Sequence, residues 1–311
     1  MQRPDPQPGP GELVLAVAAT SVNRADILQR RGMYASPPGQ TDVLGLEASG
    51  VVEAIGQGVE RWNVGDTACA VLTGGGYADK VVVPAAVAMP LPPGLDALSA
   101  GAVPEVFATA FDNVMIRGRL AEGETLLVHG GASGVGTAAI QLAKRAGCRV
   151  LVTAGSQDRV DACVELGADG GVVYRDSDWA AAVMQLTGGG GVDVILDVVG
   201  GPYLGHNLSC LAKEGRLVVI GLMGGAKAEL NLSVVLAKRA SVMGSTLRAR
   251  TIAEKQPLMR RLVEEVWPGF ADGSLHPVIG RVLPLDDVAQ AHAALESGEV
   301  VGKIVLRVAP E

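Results

Sequence analysis

The chain has 311 residues, 48% of them apolar and 19% charged, enough for two domains with real hydrophobic cores. Its 42 glycines and 17 prolines stay below the share at which low-complexity disorder sets in, so a folded protein is expected. The formal net charge of −7 gives no positive field for a phosphate polymer or an anionic membrane, and neither nucleic acid nor membrane is an expected partner.

The opening MQRPDPQPGPGE has no apolar segment of the signal-peptide kind, and no later stretch reaches about 18 uninterrupted apolar residues. A cytoplasmic protein is therefore expected. Residues 1 to about 106 hold short runs such as Leu13 to Ala19, Ala48 to Ile55 and Tyr77 to Val83, punctuated by Gly and Pro, which predicts a mostly antiparallel β domain. From about residue 124 the rhythm changes to TLLVHG, RVLVTA, GVVY, VDVILDVVG and RLVVIG, each separated from the next by a helical run. Apolar runs of this length alternating with helices predict a parallel sheet covered on both faces. In the first of these helices Val135, Ala138, Ala139, Leu142, Ala143 and Ala146 keep helical spacing, and Gly147 is the stop. Cys69, Cys148, Cys163 and Cys210 fit neither a disulfide framework nor a CxxC metal pair and read as reduced core residues, Cys163 sharing an apolar helix face with Val160 and Val164. After about residue 250 come a helix from Glu254 to Gly273, then PVIGRVLPL, a helix around Asp286 to Ser297 and a closing GKIVLRV strand. Returning β character at the end predicts two domains, one of residues 1–106 with 250–311 and one of 107–249.

Strand TLLVHG runs into Gly130, Gly131, Ala132, Ser133, Gly134, Val135 and Gly136, which open a helix. First-turn amides without intrahelical partners, the helix dipole and missing Cβ atoms suit a pyrophosphate; a tight turn serving only the chain is the alternative. Ser133 is no hydrolase nucleophile, because Val135 breaks the GxSxG pattern. About 20 residues on, where a dinucleotide site for the unphosphorylated cofactor places an acid, stand Gly155 and Ser156. Ser156 and Arg159 can both donate to a 2′-phosphate, so NADPH is expected; a solvated Arg159 beside Asp158 is the alternative.

The motifs NRADILQRRGMY (23–34), LGLEASG (44–50), VPEVFATAF (103–111), HGGASGVGTAAIQLAK (129–144), TAGSQDR (153–159), ILDVVGG (195–201), GLMGG (221–225) and GKIVL (302–306) span nearly the whole chain in order. Together they resemble the zinc-free quinone oxidoreductase branch of the medium-chain dehydrogenase/reductase superfamily. The resemblance implies an α/β fold in which a Rossmann parallel-sheet domain and a GroES-like β domain enclose NADPH between them. It places Ser133, Gly134 and Val135 on the pyrophosphate and Gly155, Ser156, Arg159 and Tyr174 around the adenosine phosphate. It puts Gly221, Leu222 and Met223 near the nicotinamide, with Asn23, Tyr34 and Thr109 facing the reaction. Relatives begin with an extra hairpin-sized stretch before the segment matching Pro8 to Val17, which leaves the edge of the β domain an open expectation.

Alcohol dehydrogenases of the superfamily place a Cys near position 23 and a His at position 46, where this chain has Asn23 and Leu46, so no zinc is expected. Without a Lewis acid, a conjugated acceptor that delocalises the arriving charge is the reasonable substrate. Tyr34 is the candidate donor to the acceptor oxygen, or else caps a turn; Asn23 faces the reaction or fixes its loop. The expected activity is NADPH-dependent quinone reduction. The alternatives are a 2-alkenal or enone reductase, and an NADPH-binding structural or nucleic-acid-binding module with little turnover. A homodimer is expected from the resemblance and from an exposed sheet edge around Ala240 to Thr246.

Overall fold

The computed structural model describes residues 3–175 and 178–308. The chain begins with β1 (Glu12–Ser21), helix α1 (Arg24–Arg30), β2 (Glu47–Ile55), β3 (Thr67–Val71), β4 (Lys80–Pro84), β5 (Ala88–Pro90) and α2 (Ala97–Ala100). Helix α3 (Pro104–Ala110) then widens into a π turn over Phe111–Arg117. Strand and helix alternate next: β6 (Thr125–His129), α4 (Gly134–Arg145), β7 (Arg149–Ala154), α5 (Gln157–Glu165), β8 (Gly170–Val173), α6 (Trp179–Leu186) and β9 (Val192–Asp197). They continue through α7 (Leu204–Cys210), β10 (Leu211–Val219), α8 (Leu232–Lys238) and β11 (Ser241–Gly244). Helices α9 (Ile252–Arg261) and α10 (Trp267–Ala271), then β12 (Ile279–Pro284), α11 (Val288–Ser297) and β13 (Lys303–Arg307), complete the chain.

Two units result, with boundaries between Ala108 and Thr109 and between Thr246 and Leu247. Among the described residues the first unit holds a seven-stranded sheet in the order β12-β13-β1-β2-β3-β5, with β4 also on β1. Strand β1 is antiparallel to β2, β4 and β13, so the end of the chain returns to its beginning, Ala19 opposite Arg307. The apolar run at its start explains the position: Leu13 and Leu15 are fully buried.

The second unit holds a six-stranded sheet, β11-β10-β9-β6-β7-β8, with every neighbouring pair parallel. Its near-continuous apolar strands belong in a sheet covered on both faces, and Leu126, Leu127, Val150, Leu151, Val194 and Ile195 are fully buried. Successive strands leave β6 in opposite directions, toward β7 on one side and β9 on the other. In open parallel sheets such a reversal is where ligands bind, outside the carboxyl ends of the strands. Helix α4 buries Ala138, Ala139, Ile140, Leu142 and Ala143 and stops before Gly147, whose φ of 74° suits a residue without a side chain.

Three expectations need correction. The helix expected from Glu254 to Gly273 runs from Ile252 to Ala271 but is not regular: it widens into a π turn over Leu262–Val266 and continues as α10, whose Pro268 cannot donate to the preceding turn. The start moves as well, since Thr251 caps α9 with Glu254 as its capping-box partner. Val164 does not share the buried face of α5 with Val160 and Cys163; it is 45% exposed. No helix among the described residues is long and apolar enough to cross a membrane.

Candidate active site

In the second unit the expected cofactor segments all leave the carboxyl end of the parallel sheet. After β6 the chain turns at Gly130 and enters α4 with Ser133 as N-cap, its hydroxyl accepting from the Gly136 amide at 3.1 Å. Ser133 thus serves its own helix first, leaving Gly134 and Val135 to present the first-turn amides. Two of the glycines are required by the chain itself. A Cβ on Gly131 would lie 2.6 Å from the Val152 Cβ, and one on Gly136 would lie 2.4 Å from the Gly131 carbonyl oxygen.

Strand β7 delivers Gly155 and Ser156. Ser156 is the N-cap of α5 in an extended conformation, yet its side chain caps no amide, so the hydroxyl is left for something else. Asp158 is exposed and Arg159 partly buried. The parallel register sets Ala154 opposite Val173, and the Tyr174 amide donates to the Ala154 carbonyl at 3.1 Å. Tyr174 is thereby brought to Gly155, where an added Cβ would stand 3.2 Å from its hydroxyl oxygen. Gly221, Leu222 and Met223 follow β10; the Met223 amide donates to the Val198 carbonyl at 3.2 Å, and both apolar side chains are more than half exposed.

The ends of three of these strands, β6, β7 and β9, are tied together through a buried imidazole and an asparagine of α7. His129, 1% exposed, shares hydrogen bonds with Thr153 Oγ1 through Nδ1 at 3.0 Å and with Asn207 Oδ1 through Nε2 at 2.7 Å. Asn207 donates to Asp197, which accepts from the Val199 and Gly200 amides. Burial pushes the imidazole pKa down to about 4, so it is neutral, with Nε2–H facing the amide oxygen. Edges and faces of Trp179 and Tyr203 close around it at 4.7 and 4.9 Å.

In the first unit Asn23 caps α1 and is held inside a buried ionic cluster. Lys303 Nζ donates to the Val22 carbonyl, to Asn23 Oδ1 at 2.7 Å and to Glu47 Oε1 at 2.9 Å. Glu47, fully buried, also accepts from Ser21, from Asn23 Nδ2 at 2.9 Å and from the Glu105 amide at 2.9 Å. Both heteroatoms of the Asn23 side chain are therefore committed, as the loop-fixing alternative requires. Nearby, Asp26 accepts from the Gly45 amide and the Tyr77 hydroxyl, and burial raises its pKa to about 6.

Tyr34 is half-buried beneath Arg248, whose guanidinium carbon lies 5.1 Å from the ring centre. Arg248 is fixed by the Thr73 carbonyl at 2.8 Å and Ser36 Oγ at 3.1 Å. Burial, then the neighbouring Glu105, raise the Tyr34 pKa while Arg248 opposes them, so the hydroxyl stays protonated near neutrality. Glu105, which the sequence reading passed over, has its pKa raised to about 8 by burial and by the Glu47 charge. Thr109, one helical turn after Glu105 on α3, gives its carbonyl to Asn113 at 2.8 Å and falls in the second unit. Asn23 and Tyr34 thus share one unit with Glu105 between their surroundings, whereas Thr109 belongs to the other. Among the described residues no three His, Cys, Asp or Glu side chains assemble as metal ligands would.

Comparison with known proteins agrees with this architecture. Residues 9–93 match the alcohol dehydrogenase GroES-like domain and residues 134–264 the zinc-binding dehydrogenase family. A quinone oxidoreductase of Rattus norvegicus is 31% identical across 97% of this chain and 90% of its own length. A highly-reducing polyketide synthase of Aureobasidium melanogenum is 34% identical across 97% of the chain, which spans only 14% of that protein. The crystal structure of Escherichia coli quinone oxidoreductase complexed with NADPH superposes with a TM-score of 0.88 at 26% identity, over 99% of this chain and 95% of that one. The chain belongs to the quinone oxidoreductase branch of the medium-chain dehydrogenase/reductase superfamily.

Proposed function

We propose that this protein is an NADPH-dependent reductase acting on a quinone without zinc. The observation that carries the reading is the cradle at the end of β7, where Gly155 and Ser156 meet Tyr174 with no carboxylate in the position that would repel a 2′-phosphate. Ser156 and Arg159 donate to that phosphate, Tyr174 flanks it, the amides of Gly134 and Val135 face the pyrophosphate with Ser133, and Gly221, Leu222 and Met223 line the nicotinamide end. The bound cofactor supplies the hydride.

The chain's own residues position the acceptor. Tyr34, protonated and clamped under Arg248, donates a hydrogen bond to the acceptor oxygen. Asn23 holds the entry of α1 through Lys303 and Glu47, and Thr109 is the α3 residue of the proposed reaction set. Conjugated acceptors suit this arrangement because no cation is needed to carry the developing charge. A second reading, an enone reductase, is supported by the likeness to the JamJ enoyl reductase, whose crystal structure superposes with a TM-score of 0.89 at 26% identity. Homodimerisation across the sheet edge is part of the proposal: β11 is an edge strand with Val242 41% exposed, and Leu232 and Leu236 on α8, which leads into it, are 63% and 77% exposed. NADPH and NADH oxidation measured against a panel of quinones and enones, with and without a chelator, tests the reading. Turnover of quinones with NADPH that survives chelation is expected; turnover confined to enones favours the second reading, and chelator-sensitive activity refutes zinc independence.

A further inference from the structure

Sheet register brings a second cation to the end of β7 that the sequence pattern around TAGSQDR does not show. Strands β7 and β8 run parallel with Ala154 opposite Val173, so the two residues after β8, Tyr174 and Arg175, lie beside the residues after β7, Gly155 and Ser156. The Arg175 guanidinium carbon is 3.7 Å from where a Gly155 Cβ would stand and 5.9 Å from the centre of the Tyr174 ring. The ring therefore supports the guanidinium against the cradle rather than leaving it to sweep through water. Around the same point the Ser156 hydroxyl caps no amide, and α5 begins there with its dipole positive.

The geometry points to Arg175 as a residue that determines cofactor choice, its guanidinium binding the 2′-phosphate of NADPH from the β8 side while Ser156 and Arg159 approach from the α5 side. This rests on the NADPH reading proposed above and deepens it. A phosphate monoester carries close to two charges and three acceptor oxygens, and a planar guanidinium can engage two of those oxygens at once. Gly155 is part of the design, since a side chain there would fill the space between the guanidinium, the phenol and the phosphate. An NADH ribose offers only a neutral hydroxyl at that point, so the same guanidinium gains little from it.

Dissociation constants of NADPH and NADH, followed by nicotinamide fluorescence, are compared for the wild type, Arg175→Ala, Arg175→Lys and Arg159→Ala. Arg175→Ala is expected to weaken NADPH about tenfold to a hundredfold, as loss of a charge-assisted bond does, and to change NADH less than twofold. Arg175→Lys is expected to fall between, keeping the charge and losing the fork. A wild-type preference for NADPH that Arg175→Ala leaves intact while Arg159→Ala abolishes it overturns this inference and leaves the NADPH reading standing. Equal wild-type affinities for the two cofactors overturn both. Exposed Arg175 lies outside either core, so loss of folding does not confuse the measurement.

Discussion

In the first unit the ends of β1, β2 and β13 meet at a buried ion pair, Lys303 with Glu47, threaded by Asn23; in the second the ends of β6, β7 and β9 meet at a neutral imidazole, His129, bridging Thr153 and Asn207. Both clusters are saturated with hydrogen bonds, so neither leaves a buried polar group at full desolvation cost. They differ in what threatens them. A buried ion pair tolerates its surroundings but not the loss of one partner. A neutral imidazole tolerates small losses but not a proton. The side expected to meet the acceptor is thus organised by charge, and the side expected to meet the cofactor by uncharged hydrogen bonds.

The sharpest way to break this contrast is Lys303→Met, which strands the Glu47 carboxylate in the interior. A loss of about 3–5 kcal/mol is expected in denaturant unfolding, with much of it regained when Glu47→Gln is added. A loss below about 1 kcal/mol in the single variant would mean that water reaches the pair and the ionic account is wrong.

On the acceptor side Tyr34→Phe is expected to lower the quinone rate about tenfold to a thousandfold, or about 1.4–4 kcal/mol in the barrier, with NADPH affinity unchanged. If cofactor affinity falls with the rate, the hydroxyl does not act on the acceptor.

Acid separates the units with opposite signs. His129 has its pKa depressed to about 4 against 6.5 unfolded, so its contribution is whole above 6.5 and is lost as pH falls toward 4, about 3 kcal/mol at most. Asp26 has its pKa raised to about 6 against 3.8, so its contribution is whole below 3.8 and is lost as pH rises through 6. Between pH 7 and 4, His129→Gln should therefore lose less stability than the wild type, and Asp26→Asn more. Parallel pH profiles for all three proteins would contradict the contrast. The smallest effect belongs to Ser156→Ala, expected to weaken NADPH about fivefold, the worth of one hydrogen bond, without altering quinone turnover at saturating cofactor. A turnover defect at saturation would place Ser156 in the chemistry instead.

Local pattern carried much of this molecule in the sequence. The spacing from Val135 to Ala146 marks α4, and the apolar runs TLLVH, RVLVTA and VDVILD mark the three strands that neighbour one another at β6, β7 and β9. Legibility failed where partners lie far apart along the chain. Glu47 and Lys303 are separated by 256 positions, and nothing near either residue announces the other. The His129 partners could not be named from the sequence, because Thr153 stands at the end of β7 and Asn207 on α7, 24 and 78 positions away. Arg175 was missed because its place depends on which residue of β7 stands opposite Val173, and register is a tertiary fact. The Glu254 to Gly273 stretch hid its π turn for a different reason: periodicity continues through it, and only Pro268, which lacks a donor, marks the place where the regular α pattern is relaxed.

Crowding at Gly155 makes cofactor exchange a matter of mutational order. Placing an acid there is the simplest way to favour NADH, yet the new Cβ would stand 3.2 Å from the Tyr174 hydroxyl oxygen, closer than side chains ordinarily approach. The aspartate would also meet the Arg175 guanidinium and form an ion pair with it, in the space proposed for the adenosine ribose. Gly155→Asp alone is thus a poor first step toward NADH, whereas the same change after Tyr174 and Arg175 have been shortened is a useful one. On the proposed reading residues 155, 174 and 175 are expected to act as one epistatic unit, and a change of coenzyme is easiest when it begins from the β8 side.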